Sequence, residues 1–466
     1  MGRSGGRKDE VDTGGKRAIS QEAFDELVKE NIDELDMDPA EALEDAVQTL
    51  SLQGVDLSGI VKSVPGQGHV EDDPVIKFLH RLESSSAEAD SEGANSLFRD
   101  LLDHLDSSPS AKAIAIKNGG IELIWSACVK LQPPLHSEAL TLGLKVLAML
   151  ICDLQGTEKF RSLEGPGTLM QILNDGIDSV GILDGCFSLI AAAALGNEVV
   201  KEIFVRLQIG EIILRVLKRQ GRENTIAVYD TIRVLLTPDD NRVVASQVYG
   251  YARSFAEIGI AEALVRSLES RPAFSSLASA TVALKAVAVN DEICKSIAES
   301  GGIDLILDCI DDSGKQSNSK IAKTCCSLLS KLAGSDSNKL AIIEKGGLNR
   351  LIQLSNYFTN DASVLTEVMS LLAVVCLRSP DNARRVIEAG AGDLLIEAMD
   401  NFSSSPQLQR SSCLLIRNLA VRNPENRILL LNQGVEKFVR KARQTHPSCR
   451  EAATDALRDL GLDYNR

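Results

Sequence analysis

Three apolar patterns follow one another along this chain, in the same order, many times. Residues 335–346, SDSNKLAIIEKG, form a short stretch in which Leu340, Ile342 and Ile343 precede a glycine. The next stretch, GLNRLIQLSN, places Leu348, Leu351, Ile352 and Leu354 at helical spacing. Residues 362–379, ASVLTEVMSLLAVVCLRS, are apolar on most sides, as a helix covered by neighbours must be. Gly346 can take a positive φ, end the first helix and turn the chain into the second. The same elbow is expected at Gly119, Gly165, Gly259, Gly301, Gly346, Gly390 and Gly434, with Gln208 filling one further slot. These markers lie 46, 43, 51, 42, 45, 44 and 44 residues apart. Helical units at a mean period of about 45 residues predict an all-α solenoid of about eight repeats.

The ends depart from the period. Residues 20–36 predict an amphipathic helix capped by Ser20, with Phe24, Leu27, Val28, Ile32 and Leu35 on its apolar side. Asp38 caps a second helix that starts at Pro39 and stops before Gly54; its apolar face holds Ala42, Leu43, Ala46, Val47 and Leu50. PGQGHVEDDP and SSSAEADSEG read as links. The expected organisation is a disordered basic tail over 1–19, acidic helices over 20–64, a linker with a short helix over 65–94, and the array over 95–466. A last helix, 448–460, turns Ala452, Ala456, Leu457 and Leu460 inward, stops at Gly461 and caps the array.

Charge is unevenly placed. Residues 1–106 hold 25 Asp/Glu against 10 Lys/Arg, while the remaining residues hold 40 of each, so the net charge of -15 belongs to the first part. A globally neutral array argues against a nucleic-acid partner, which would need many phosphate-neutralising bases. Residues 406–450 carry nine Lys/Arg and two Glu, a local excess of basic charge. The ten cysteines form no CxxC pair and sit mostly in apolar runs, so they are expected as buried thiols in a reducing compartment. No apolar h-region follows the first residues, and Gly6 stands where a myristoylation motif needs Ser or Thr. No apolar run reaches ~18 residues, so no membrane partner is expected. These features predict a cytoplasmic or nuclear protein that is not secreted.

Catalytic chemistry finds little support. His69, His80, His104, His136 and His446 are scattered without metal-ligand spacing. The Gly-x-Gly in EGPGTLM occupies an elbow, with no strand before it. No catalytic residue, metal or cofactor is expected. The turns holding Asp239–Asn241, Asp381–Asn382 and Glu425–Asn426 are read as caps for orphan N–H groups of short helices.

The phrase NKLAIIEKGGLNRLIQL resembles the armadillo consensus: a short first helix, Glu-x-Gly-Gly, then a second helix of Ile-Pro-x-Leu-Val type, here without the Pro. RAISQEAFDELVKENIDEL and EALEDAVQTLSLQGVDLSGIVK near the start, with CLLIRNLAVRNPENR and HPSCREAATDALRDLG near the end, resemble one branch of the armadillo-repeat superfamily. The resemblance implies a right-handed superhelix whose third helices line a concave groove, and a non-enzymatic adaptor or scaffold that binds a protein or peptide there. In the nuclear-import members that groove carries a Trp and, four residues on, an Asn that holds a basic peptide. Here the Asn position falls on Met149, Ala192, Val234, Ala286, Lys331, Val374 and Asn418, and Leu414 replaces the last Trp. A carrier of import signals is therefore the weakest of three readings. The leading one places a protein or peptide partner, acidic in character, at Arg417, Asn418 and Arg422 on adjacent turns, extended by Arg378. The other is assembly or docking through the acidic N-terminal helices, although a monomer is expected.

Overall fold

In the first repeating pattern, apolar residues three and four apart need a partner surface, and the next helix supplies it. The computed structural model describes residues 17–64, 73–84, 91–131, 136–219, 226–270 and 272–462. Among these residues, helices follow in eight triplets, from Pro109–Lys117, Gly120–Lys130 and Ser137–Leu150 to Pro424–Asn432, Val435–Thr445 and Arg450–Asp459. Two helices, Pro74–Ser84 and Ser91–Ser107, precede the triplets. The fold is an α-solenoid. The chain divides into two compact units, residues 1–209 and 210–466.

In the first unit the third helix Ser137–Leu150 packs between Ser91–Ser107 and Val180–Ala194. In the second, Ile226–Leu235, Phe274–Val287, Ser319–Leu332, Ala362–Cys376, Pro406–Ala420 and Arg450–Asp459 stack in series. Ala362–Cys376 buries Val364, Leu365, Val368, Met369, Leu371, Leu372, Ala373, Val375 and Cys376. Removing two opposite flanks from water is what each helix gains from its neighbours.

The elbows have a left-handed residue where the first helix meets the second. Gly119, Gly259, Gly301, Gly346, Gly390 and Gly434 all have positive φ, between 74° and 98°. Gln208 takes φ 59° in the slot without glycine. The second repeat differs from expectation: Glu164, with φ 54°, is the left-handed residue, and Gly165 is the first residue of the next helix. At Gly346 (φ 75°) the positive angle is the requirement, since a Cβ there would meet nothing within 4 Å. Its successor Gly347 meets a different one. A Cβ on Gly347 would lie 2.6 Å from the carbonyl oxygen of Ile342. The paired glycines thus do two jobs, one conformational and one steric.

The short first helices are capped from both directions. Ser379 accepts from the Asn382 N–H at 3.4 Å, while the Asn382 amide donates to the Val375 carbonyl at 3.1 Å. Asn426 donates to Leu419 O at 3.1 Å, and Asn338 to Leu332 O at 3.1 Å and Cys294 O at 2.9 Å. Asn382 and Asn426 are therefore not the N–H caps expected from their turns. The buried side chains of all three satisfy carbonyls near the end of the preceding third helix, and Asn338 also reaches Cys294 on a first helix. At the Asp239–Asn241 turn, Asp240 instead accepts from the backbone and side chain of Arg242.

The N-terminal helices, Gln21–Asp33 and Pro39–Leu52, form their own apolar cluster from Phe24, Val28, Ala42, Ala46, Leu50, Leu57 and Ile60. Ser20 and Asp38 cap them through bonds to Ala23 N and Ala40 N. Leu35 lies beyond the first helix and is 64% exposed, not on its apolar side. Arg17–Ala18 pairs in parallel with Val55–Asp56, so ordered structure begins inside the expected 1–19 tail. Residues 1–16 of that tail, and 65–72 and 85–90 of the expected linker, lie outside the described residues. The Ser91–Ser107 helix begins before residue 95. The cluster reaches the array where Gly59 receives the Lys117 stem; a Cβ on Gly59 would stand 2.3 Å from Lys117 Cδ.

Two substitutions test this account by urea unfolding followed by far-UV circular dichroism. Gly346→Ala forces a left-handed alanine and should cost about 1–2 kcal/mol. Asn382→Ala strands the buried Val375 carbonyl and should cost about 1–3 kcal/mol, with exposed Asn356→Ala as the neutral control. Unchanged unfolding curves for the first two variants would contradict the elbow and clamp assignments.

Candidate binding face

In the second unit each third helix from Phe274–Val287 to Pro406–Ala420 is flanked on both sides, which leaves one narrow strip of every such helix accessible. In the second unit the strips carry a consistent chemistry. On Phe274–Val287, Ser319–Leu332, Ala362–Cys376 and Pro406–Ala420, the accessible charged residues are Lys285, Lys320, Lys323, Lys331, Arg410 and Arg417 against Glu367 alone. The rest of the strip is mostly Ser and Thr. Lys285 Nζ donates to Ser327 Oγ at 2.7 Å, and Ser370 and Ser411 share a bond of 2.9 Å. Both bonds cross from one third helix to the next.

The four residues singled out from the sequence are not brought into one patch. Arg417 is turned to the last helix, 3.2 Å from Asp455 and 3.6 Å from Asp459. Arg458 reaches the same two carboxylates. The half-buried Asn418 donates its amide to Ala373 O at 2.8 Å, tying its helix to the preceding third helix. Arg422 is not on an adjacent helical turn: the helix ends at Ala420, and Arg422 sits beyond it with φ 61°. Arg378 occupies the same place one repeat earlier, also at φ 61°, where Gly196 stands in the second repeat. Arg378 and Arg422 are exposed on the joint between third and first helices, beside the exposed apolar residues Leu377 and Val421.

The positions aligned with the import-receptor Asn are mostly accessible, but Val234 is buried and Arg233 takes the outward place. The lysines of the Ser319–Leu332 helix were not singled out from sequence. Their signal was present: Lys320, Lys323, Ser327 and Lys331 recur at helical spacing. From sequence, Lys331 enters only as the residue at the import-receptor Asn position, and Lys320 and Lys323 not at all.

The remaining groups are arranged for packing. Burial pushes the Cys128 and Cys413 thiols up to about 12, and raises Cys186, Cys326 and Cys376 as well. Such thiols hold their protons at neutral pH and are poor nucleophiles. Among the described residues, no group of three or more His, Cys, Asp or Glu is placed to hold a metal ion. Two clefts, of about 220 and 190 Å³, fall below the ~300 Å³ of an ordinary small-molecule site. No described helix is long and apolar enough to cross a membrane.

Residues 16–93 match the Armadillo repeat-containing protein 6 N-terminal domain, and residues 109–458 match the GAC ARM domain. Armadillo repeat-containing protein 6 of Pongo abelii is 27% identical over 386 residues, covering 79% of this chain and 75% of that protein. The Homo sapiens protein of that name is 26% identical over the same coverage. The Drosophila melanogaster homolog is 24% identical over 399 residues, covering 79% of each. A crystallised engineered protein shares the fold, with a TM-score of 0.54 at 19% identity over 84% of this chain and 99% of its own.

The two neighbouring arginines should separate experimentally. Arg417→Ala should cost about 0.5–1 kcal/mol, less at high salt, and quicken amide exchange in Arg450–Asp459. Arg422→Ala should leave both unchanged. Equal effects of the two would contradict the pairing described.

Proposed function

This chain belongs to the armadillo-repeat family through its GAC ARM domain, and from that premise we propose that it is a non-enzymatic scaffold binding a protein or peptide segment across its third-helix face. The supporting observation is the accessible strip on Phe274–Val287 to Pro406–Ala420. It is polar, carries bases that the fold does not use, and is covered by no other described element. Arg378 and Arg422 add cations at its edge on a left-handed backbone, and Arg378 also lies within electrostatic reach of Asp336. Arg417 and Asn418 are assigned a supporting role, since their polar atoms hold the last helices together.

A second reading rests on Leu35, just beyond the first acidic N-terminal helix, and Leu52, at the end of the second, exposed by 64% and 82%. Apolar residues among carboxylates suit a docking surface for a basic partner or for another copy.

Photo-crosslinking decides between the two. A benzophenone amino acid at Ser330 or Ser363 should capture a partner, whereas the same group at Glu344 or Arg384, exposed on first helices, should not. Capture from Leu52 alone would move the site to the acidic helices.

A further inference from the structure

Two cysteines stand opposite each other in one helical hairpin. Gly302–Lys315 and Ser319–Leu332 pack together across a turn over 316–318, where Ser317 takes φ 52°. Ser313 O accepts from the Asn318 N–H at 2.9 Å, and Asn318 Oδ1 accepts from the Ile321 N–H at 3.2 Å, so the turn fixes the register. Residues equally far from such a turn lie at the same level of the two helices. Cys309 lies eight residues before Ser317 and Cys325 eight after it. Their side chains are within hydrogen-bonding distance, and Thr281 of the preceding third helix reaches Cys325 as well.

The two sulfurs differ in access. Cys309 is half-buried and lines the cleft of about 190 Å³ with Phe274, Leu277, Leu305, Asp308 and Asp312. Asp308 is paired with Arg350 at 3.0 Å and Asp312 with Lys315 at 3.9 Å. A rim of paired charges over an apolar floor suits a small uncharged molecule. Cys325 is 1% exposed and does not line the cleft. The thiols of Cys128 and Cys186, and those of Cys413 and Cys449, are also within electrostatic reach of each other. Every member of those pairs is buried, and Cys449 donates to the Pro406 carbonyl at 3.2 Å. The Cys309 contact, and after it burial, hold the Cys325 thiol well above its ordinary range, so Cys309 is the sulfur that loses its proton first.

We propose that Cys309 is a site of oxidation by small uncharged hydroperoxides, and that Cys325 resolves it to a reversible disulfide. Hydrogen peroxide is the oxidant of the simplest case. The Cys309 thiolate attacks one peroxide oxygen, the O–O bond breaks, and the other oxygen leaves as hydroxide, which a proton converts to water. The Cys325 sulfur then attacks the Cys309 sulfenic sulfur. The S–S bond forms, the S–O bond breaks, and the hydroxyl leaves with the Cys325 proton as a second water. The two sulfurs are oxidised and the peroxide is reduced. In a reducing compartment such a bridge is transient.

The test uses the full chain with Cys152→Ser, which removes an exposed thiol able to join two copies. The chain is treated with hydrogen peroxide, capped with N-ethylmaleimide in urea and digested with trypsin. Mass spectrometry should find the peptide of Cys309 joined to that of Cys325, with two hydrogens lost, and dithiothreitol should release it. Fragment spectra of the joined peptides distinguish Cys325 from its neighbour Cys326 without further substitution. Cys325→Ala should abolish the bridge and leave Cys309 trapped by dimedone as the sulfenic acid, while Cys326→Ala keeps the bridge; circular dichroism checks that both variants are folded. Recovery of Cys309 as the maleimide adduct, at a peroxide dose that oxidises Cys152 in the unsubstituted chain, overturns the site. A bridge to Cys326, or one that survives Cys325→Ala, overturns the pairing. Sulfinic acid at Cys309 in place of a bridge overturns the role of Cys325.

Discussion

The constraint on which this structure depends is that no third helix can bury itself alone. A helix such as Ala362–Cys376, apolar on two opposite flanks, must find a neighbour on each side. Stacking in series supplies both neighbours and leaves each helix one free strip. That arrangement decides where the elbows must fall, because the first and second helices have to fold back over the stack. It also decides what can bind, since the strips are the surface that adjacent repeats present side by side.

Stacking imposes a polar cost at every helix end, and the chain meets it with side chains from the next repeat. Asn338, Asn382 and Asn426 each turn a buried amide to the end of the preceding third helix. Lys339, nearly wholly buried, bonds Asp336 and the Leu377 carbonyl. The asparagine contacts couple each repeat to the one before it, while Lys339 ties its first helix to the end of its own repeat's third helix. They also explain why polar residues of the joint were easy to misread as simple helix caps: the cap is real, but Ser379 makes it, and the asparagine three residues on serves a different helix.

The same logic sorts the basic residues. Arg417 lies on a third helix and has carboxylates from the last helix within reach, so its charge is spent inside the fold. Lys320 and Lys331 lie on a third helix and form no ion pair with their described neighbours, whereas Lys323 lies within electrostatic reach of Asp361 at the start of the next third helix. A count of basic residues favours the C-terminal segment; the distribution of partners favours the middle of the second unit.

The sequence by itself determined the repeat, its helices and its turning points. Periodicity and glycine placement act over a few residues, so Gly346 and even Gln208 declare their conformation locally. It also determined the independent N-terminal pair, through Ser20, Asp38 and the Phe24-to-Leu50 apolar pattern. Only the tertiary structure decided that Glu164 and not Gly165 bends the second repeat, that Leu35 and Arg422 lie beyond their helices, and that Asn418 is held by Ala373. The Asn418 contact depends on a carbonyl 45 residues away in the preceding repeat, and spacing within one helix carries no information about which neighbour a side chain will meet.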